Sequence, residues 1–176
     1  MNLLIVGSGA REHTFAWKIY NSNHNVNVFV TNPNAGIVNI SNRIDINIEN
    51  FNSIKDAIIS HAISFVLIGP EIPLIHGLTD FIMSDPDLKN VKVIGPTKHG
   101  ALLEGSKEFA KNFIKKYKIP TASYRSFNKS TIKEGLEFIR NCNPPYVLKA
   151  DGPAAGKGVI IVNRPEEAIL ILEDML

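Results

Sequence analysis

Apolar residues in the first hundred positions fall into short runs, each stopped by a turn-forming residue. Leu3-Leu4-Ile5-Val6 ends at Gly7, and a run over residues 26–30 ends in the loop Thr31-Asn32-Pro33-Asn34-Ala35-Gly36. Phe65-Val66-Leu67-Ile68 ends at Gly69-Pro70, and Val91-Lys92-Val93-Ile94 at Gly95-Pro96. Short continuous runs rich in Val and Ile predict strands buried on both faces. Between them lie helical patterns. One runs from about Arg11 to Tyr20. In another, Ile54, Ala57, Ile58 and Ala62 share one helical face. A third covers about residues 74–83. Strand and helix in alternation imply an α/β domain with a parallel sheet and right-handed crossovers.

The pattern changes near residue 97. Residues 107–118 read as a basic amphipathic helix whose apolar side is Phe109, Phe113, Ile114 and Tyr117, ended by Ile119-Pro120. A strand near 123–127 follows, then a helix with Ile132, Leu136 and Ile139, then the Pro144-Pro145 break. Strands at 146–149 and 159–162 flank a glycine-rich stretch. A last helix starts near Pro165, with Glu166 and Glu167 in its first turn, and carries no stop signal before Leu176. There is no internal repeat.

Composition narrows the class without naming it. The 176 residues are 44% hydrophobic and 20% charged, ordinary for a globular chain. A net charge of +2 gives no argument for nucleic acid, and no apolar run approaches membrane length. The single Cys142 cannot form an internal disulfide, which fits a cytoplasmic protein, and it has no basic neighbour to activate it as a nucleophile.

Two glycine-rich segments carry candidate chemistry. The first is Asp151-Gly152-Pro153-Ala154-Ala155-Gly156-Lys157-Gly158. It is not a P-loop: its glycines stand one residue too close, Gly158 replaces the Ser or Thr, and a strand follows where a P-loop opens a helix. The segment reads as a loop across a hairpin, either closing over a triphosphate or making a tight turn with an incidental Lys. Lys149, at the end of the strand before it, would bracket the same phosphates with Lys157. A Lys in an apolar strand normally has an anionic partner; the other reading is a side chain snorkelling from an edge strand.

The second is Gly7-Ser8-Gly9-Ala10-Arg11-Glu12-His13, between the first strand and the first helix. Such a turn aims backbone N–H groups at a phosphate. A dinucleotide site fits less well, because Glu12 stands where its third glycine belongs and no carboxylate ends the second strand. A smaller phosphorylated ligand, with Arg11 as a bidentate contact, is the better expectation. A solvated first helical turn is the alternative for Arg11, Glu12 and His13. His24, His61, His76 and His99 have no partner pattern.

Taken in order, GSGAREH with Trp17, Asn34-Ala35-Gly36, Gly69-Pro70-Glu71-Ile72-Pro73-Leu74, Gly95-Pro96-Thr97, Leu103-Glu104-Gly105-Ser106-Lys107 and the Lys149 to Gly158 segment resemble the glycinamide ribonucleotide synthetase (phosphoribosylamine–glycine ligase) family along the whole chain. Ser8 and Ala10 replace glycines usual in the family's first turn. Pro153 replaces a usual Leu, removing one N–H and stiffening the loop.

The resemblance implies a Rossmann-like, pre-ATP-grasp domain over residues 1–100. Over 101–176 it implies an incomplete ATP-grasp domain, comprising the start of its A subdomain and a B subdomain with the Gly-rich loop. It implies ATP-dependent joining of glycine to 5-phosphoribosylamine through a glycyl phosphate, in purine biosynthesis. ATP would be held by Lys107, Lys149, Asp151, Gly152, Gly156, Lys157 and Gly158. The sugar would be held by Gly7, Gly9, Arg11, Glu12, Asn34, Gly36, Pro70 and Glu71, its phosphate on the 7–11 turn. Mg2+ or Mn2+ would find its ligands beyond residue 176, so this chain alone is expected to be inactive. The expected partners are these small molecules, with no nucleic acid or membrane, and the expected state is a monomer. Another ATP-grasp ligase, an NAD(P)-dependent dehydrogenase domain and a non-catalytic phosphosugar-binding module are the alternatives.

Overall fold

Five short parallel strands, β1 (Asn2–Val6), β2 (Asn27–Thr31), β3 (Asn42–Ile44), β4 (Phe65–Ile68) and β5 (Lys92–Ile94), line up in the order β3-β2-β1-β4-β5. They belong to the first of two compact units, 1–102 and 103–176, of a computed structural model that describes residues 1–22, 24–154 and 157–176. The β1 side chains go alternately to the two faces, as strand geometry requires. Leu4 and Val6 join Val66, Ile68, Ile54, Ile58, Leu78 and Ile82 in one core, whereas Leu3 and Ile5 join Val28, Val30, Ala16 and Ile37 in another. Helix α1 (Ala10–Tyr20) therefore covers one face; α2 (Phe51–Ser60), α3 (Glu71–His76) and α4 (Leu78–Ser84) cover the other.

The chain leaves β1 toward β2 on one side and leaves β4 toward β5 on the other. Adjacent strands whose connections part in this way create a crevice beyond their C-terminal ends, the usual ligand position in open α/β sheets. The turn after β1 and the Gly69-Pro70-Glu71 turn after β4 form its two lips.

One expectation is corrected here, and two elements appear for which the sequence pattern gave no reading. The single helix over 74–83 is two, broken at Gly77, whose φ of 97° is a left-handed conformation that suits glycine. Asn42-Arg43-Ile44 pairs with β2 although it has no apolar run. Residues Lys98–Gly105 form a helix, α5, whose Ala101 joins the first core.

The second unit contains α6 (Lys107–Lys116), α7 (Ile132–Arg140), the antiparallel hairpin β6 (Tyr146–Lys149) and β7 (Val159–Val162), and α8 (Pro165–Met175). Tyr146, Leu148 and Val162 pack against Ile139, Ala168, Ile169 and Leu172, so one hairpin face is sealed by α7 and α8. The expected strand near 123–127 does not form. The Tyr124 hydroxyl instead donates to Asn112 Oδ1, and the Arg125 guanidinium lies 5.8 Å from the Phe127 and Phe138 ring centres. Among the described residues no helix is long and apolar enough to cross a membrane.

Candidate functional site

The first lip is built by Gly7, whose φ of 108° turns the chain out of β1. Its N–H donates to the buried hydroxyl of Thr31, the last residue of β2, at 2.7 Å. Gly9 caps α1 with extended backbone, and its N–H donates to Glu12 Oε2 at 2.6 Å. Both glycine amides thus have acceptors inside the protein. Glu12 is not in a solvated turn. It is 4% exposed, in space that exists because Gly7, Gly9 and Gly69 lack a Cβ.

Arg11 and Glu71 close the crevice from opposite lips: Arg11 Nη2 donates to Glu71 Oε1 at 2.8 Å. Pro70 begins the second lip as the N-cap residue of α3, its Cδ 2.8 Å from where a Gly7 Cβ would stand. Asn34 ties the β2–β3 loop to the first lip. Its Nδ2 donates to the Ser8 carbonyl at 2.7 Å, and its Oδ1 accepts from Gly36 N at 2.9 Å. A Cβ on Gly36 would strike the His13 imidazole. The structure thus brings Gly7, Gly9, Arg11, Glu12, Asn34, Gly36, Pro70 and Glu71 together, several as framework. The burial of Glu12 has no local sequence signal, because Gly69 is remote in the chain.

In the second unit the base of the glycine-rich loop is tied to α6. The Ser106 hydroxyl donates to Asp151 Oδ2 at 3.0 Å, Glu108 N donates to Asp151 Oδ1 at 3.1 Å, and Lys107 Nζ donates to the Gly152 carbonyl at 2.7 Å. Burial works to raise the Asp151 pKa. The hydrogen bonds from Glu108 N, Ser106 Oγ and the amides of Lys107 and Gly152 outweigh it, and the group lies below the ordinary value of 3.8. Asp151 and Lys107, expected on ATP, are here held by the protein.

Lys149 pairs in register with Val159, and Val147 with Ile161. These four form the hairpin face turned away from α7 and α8, and all four are exposed. Lys149 has no ion-pair partner within the protein among the described residues. The reason is that its face of the strand is open rather than buried. Lys157 is exposed, Gly158 accepts from Ala150 N at 2.8 Å to close the hairpin, and Gly156 lies outside the described residues. Among the described residues no three His, Cys, Asp or Glu side chains converge as metal ligands. Glu166, Glu173 and Asp174 on α8 are exposed.

Family models described as phosphoribosylglycinamide synthetase, N domain, and phosphoribosylglycinamide synthetase, ATP-grasp (A) domain, match residues 1–104 and 105–176. A phosphoribosylamine–glycine ligase of Halalkalibacterium halodurans is 38% identical over 176 residues, covering all of this chain and 40% of that protein. The crystal structure of the phosphoribosylamine–glycine ligase of Thermotoga maritima superposes with a TM-score of 0.70 at 32% identity, covering 97% of this chain and 38% of that one. An N5-carboxyaminoimidazole synthase of Aspergillus clavatus, solved with ADP and 5-aminoimidazole ribonucleotide, gives 0.72 at 18% identity, covering 99% of this chain and 43% of that one, and shares the fold. The chain spans about two fifths of the length of the curated relatives it matches.

Proposed function

This chain belongs to the phosphoribosylglycinamide synthetase family, and we propose that it supplies the sugar-side domain and part of the ATP clamp of a cytoplasmic phosphoribosylamine–glycine ligase. In that reading the glycine carboxylate takes the γ-phosphoryl group of ATP and releases ADP. The amine nitrogen of 5-phosphoribosylamine then bonds to the acyl carbon of glycyl phosphate. The C–O bond to phosphate breaks, phosphate leaves with the electron pair, and the nitrogen loses a proton. Activation is needed because a free carboxylate is a poor acyl donor. No protein nucleophile is required; positioning and charge neutralisation carry the rate.

The observation that carries the reading is the crevice at the ends of β1 and β4, where Arg11 and Glu71 meet from opposite lips. It supplies a cation and a carboxylate at one place, suited to a small polar sugar. The end of β2 supports this against a dinucleotide: Thr31 there directs its hydroxyl to Gly7, and no carboxylate is present for a ribose. For ATP, the open hairpin face offers Lys149 among Val147, Val159 and Ile161, a cation for phosphate beside apolar surface for a base. Lys157 and the loop backbone would add phosphate contacts. Mg2+ or Mn2+ would neutralise phosphate oxygens; among the described residues no three His, Cys, Asp or Glu side chains converge to hold it.

A coupled assay of ADP release tests this on residues 1–176 and on a chain extended to the relatives' length. Release should require both glycine and phosphoribosylamine and occur only with the longer chain. ADP release that ignores glycine, or turnover by residues 1–176, would contradict the reading.

A further inference from the structure

The N-terminus of α1 already contains an anion. Glu12 Oε2 takes the Gly9 N–H, and Gly7 N–H is taken by Thr31. Around this carboxylate the chain has no side-chain carbon to spare. A Cβ on Gly7 or Gly9 would stand 3.1 or 2.8 Å from it, and one on Gly69 would overlap it. A phosphate on this turn would therefore find two of its amides engaged and the helix dipole compensated by a resident charge. It would also meet two carboxylates, Glu12 and Glu71, for the one guanidinium of Arg11, and like charges so close repel.

The second oxygen of Glu12 points the other way chemically. Oε1 is buried and has no hydrogen-bond partner; the nearest cation, Arg11 Nε, stands 4.0 Å off. It lies against Gly69, on the same turn that carries Glu71, and so between the two lips. A buried carboxylate oxygen without a donor is costly, and a ligand N–H or O–H is the group that would relieve it.

We propose that the turn after β1 receives the hydrogen-bond-donor end of the sugar, its amine or ring hydroxyls, against Glu12 and Glu71, and that it does not hold the phosphate. The proposal rests on reading the crevice as a sugar site. Glu12 then has a double role, closing the turn through Gly9 and selecting a donor through Oε1.

The two orientations differ in the sign of one effect. Glu12→Gln keeps an acceptor for Gly9 N–H but removes the charge. With the donor end on the turn, ribose 5-phosphate should bind Glu12→Gln about tenfold more weakly than the unaltered chain, because hydrogen bonds to charged groups are the strong ones. With the phosphate there, loss of a neighbouring negative charge should tighten binding. Amide chemical shifts of residues 1–176 titrated with ribose 5-phosphate and, separately, with inorganic phosphate read both. Shifts at Gly69 and Glu71 with the sugar, and none at residues 8–11 with inorganic phosphate, are expected. Tighter or unchanged binding by Glu12→Gln overturns the proposal. So does an inorganic-phosphate response at residues 8–11 of the unaltered chain, a measurement that needs no variant to fold. Absence of any ribose 5-phosphate response in residues 1–102 instead overturns the sugar-site reading itself, and this inference with it.

Discussion

Arg11 and Glu71 stand 60 residues apart in sequence, yet their side chains meet at 2.8 Å across the ends of two adjacent strands. The pair is substantially solvated, with side chains 55% and 35% exposed. Exposed ion pairs contribute only about 0–1 kcal/mol to stability. Arg11→Ala should accordingly leave thermal unfolding nearly unchanged. Ribose 5-phosphate affinity should fall about tenfold, the scale of one charged hydrogen bond. A melting temperature that drops sharply while affinity holds would make the pair a structural clamp instead.

Lys149→Ala should weaken ATP binding by about 1.5–3 kcal/mol in a chain extended through the rest of the ATP-grasp region. Lys133→Ala, on the exposed side of α7, should change it by no more than about 0.5 kcal/mol. Titration calorimetry on the two variants decides, and equal affinities would remove Lys149 from the nucleotide site.

Asp151 links pH to the second unit. Its folded pKa lies below the ordinary 3.8, because hydrogen bonds from Glu108, Ser106, Lys107 and Gly152 outweigh burial. A carboxylate with a depressed folded pKa contributes stability that is fully present above the unfolded value. That contribution is lost as pH falls through the folded one. Unfolding of 103–176 should therefore be insensitive to this group at neutral pH and weaken below about pH 4. Asp151→Asn should cost about 1 kcal/mol near neutrality, as loss of a helix cap does, and flatten the acid limb. Denaturant melts at several pH values measure both; an unchanged acid limb would refute the assignment.

Gly36→Ala should destabilise the first unit by about 1–3 kcal/mol, because its methyl would press on the His13 ring. The combined variant with His13→Ala should recover part of that loss. Strict additivity of the two changes would show that the contact is not the cause.

The sequence displays what local patterning can display. β1, β4, β6 and β7 announce themselves as apolar runs, and the hairpin around the glycine-rich loop follows from two such runs flanking it. β3 is three residues, Asn-Arg-Ile, and becomes a strand only through its ladder with β2. Residues 123–127 carry two strand-favouring aromatics, Tyr124 and Phe127, but their side chains are engaged otherwise, and propensity alone does not create a partner strand. The Gly77 break is hidden because apolar residues continue at helical spacing on both sides of it. In the site, residue types were legible and their states were not. That Glu12 is buried depends on Gly69, and that Asp151 caps α6 depends on a return of the chain after 43 residues. Both are facts of tertiary geometry.

The sheet of the first unit ends in β3 on one side and β5 on the other, each only three residues long. Arg43 and Asp45 sit at the first edge, both well exposed. Lys92 sits at the second, 5.4 Å above the Phe65 ring. An edge so short, and marked by charge, is a poor template for a strand from another molecule. Both ends of this sheet thus resist growth by addition, which guards a nascent or truncated chain against edge-to-edge aggregation.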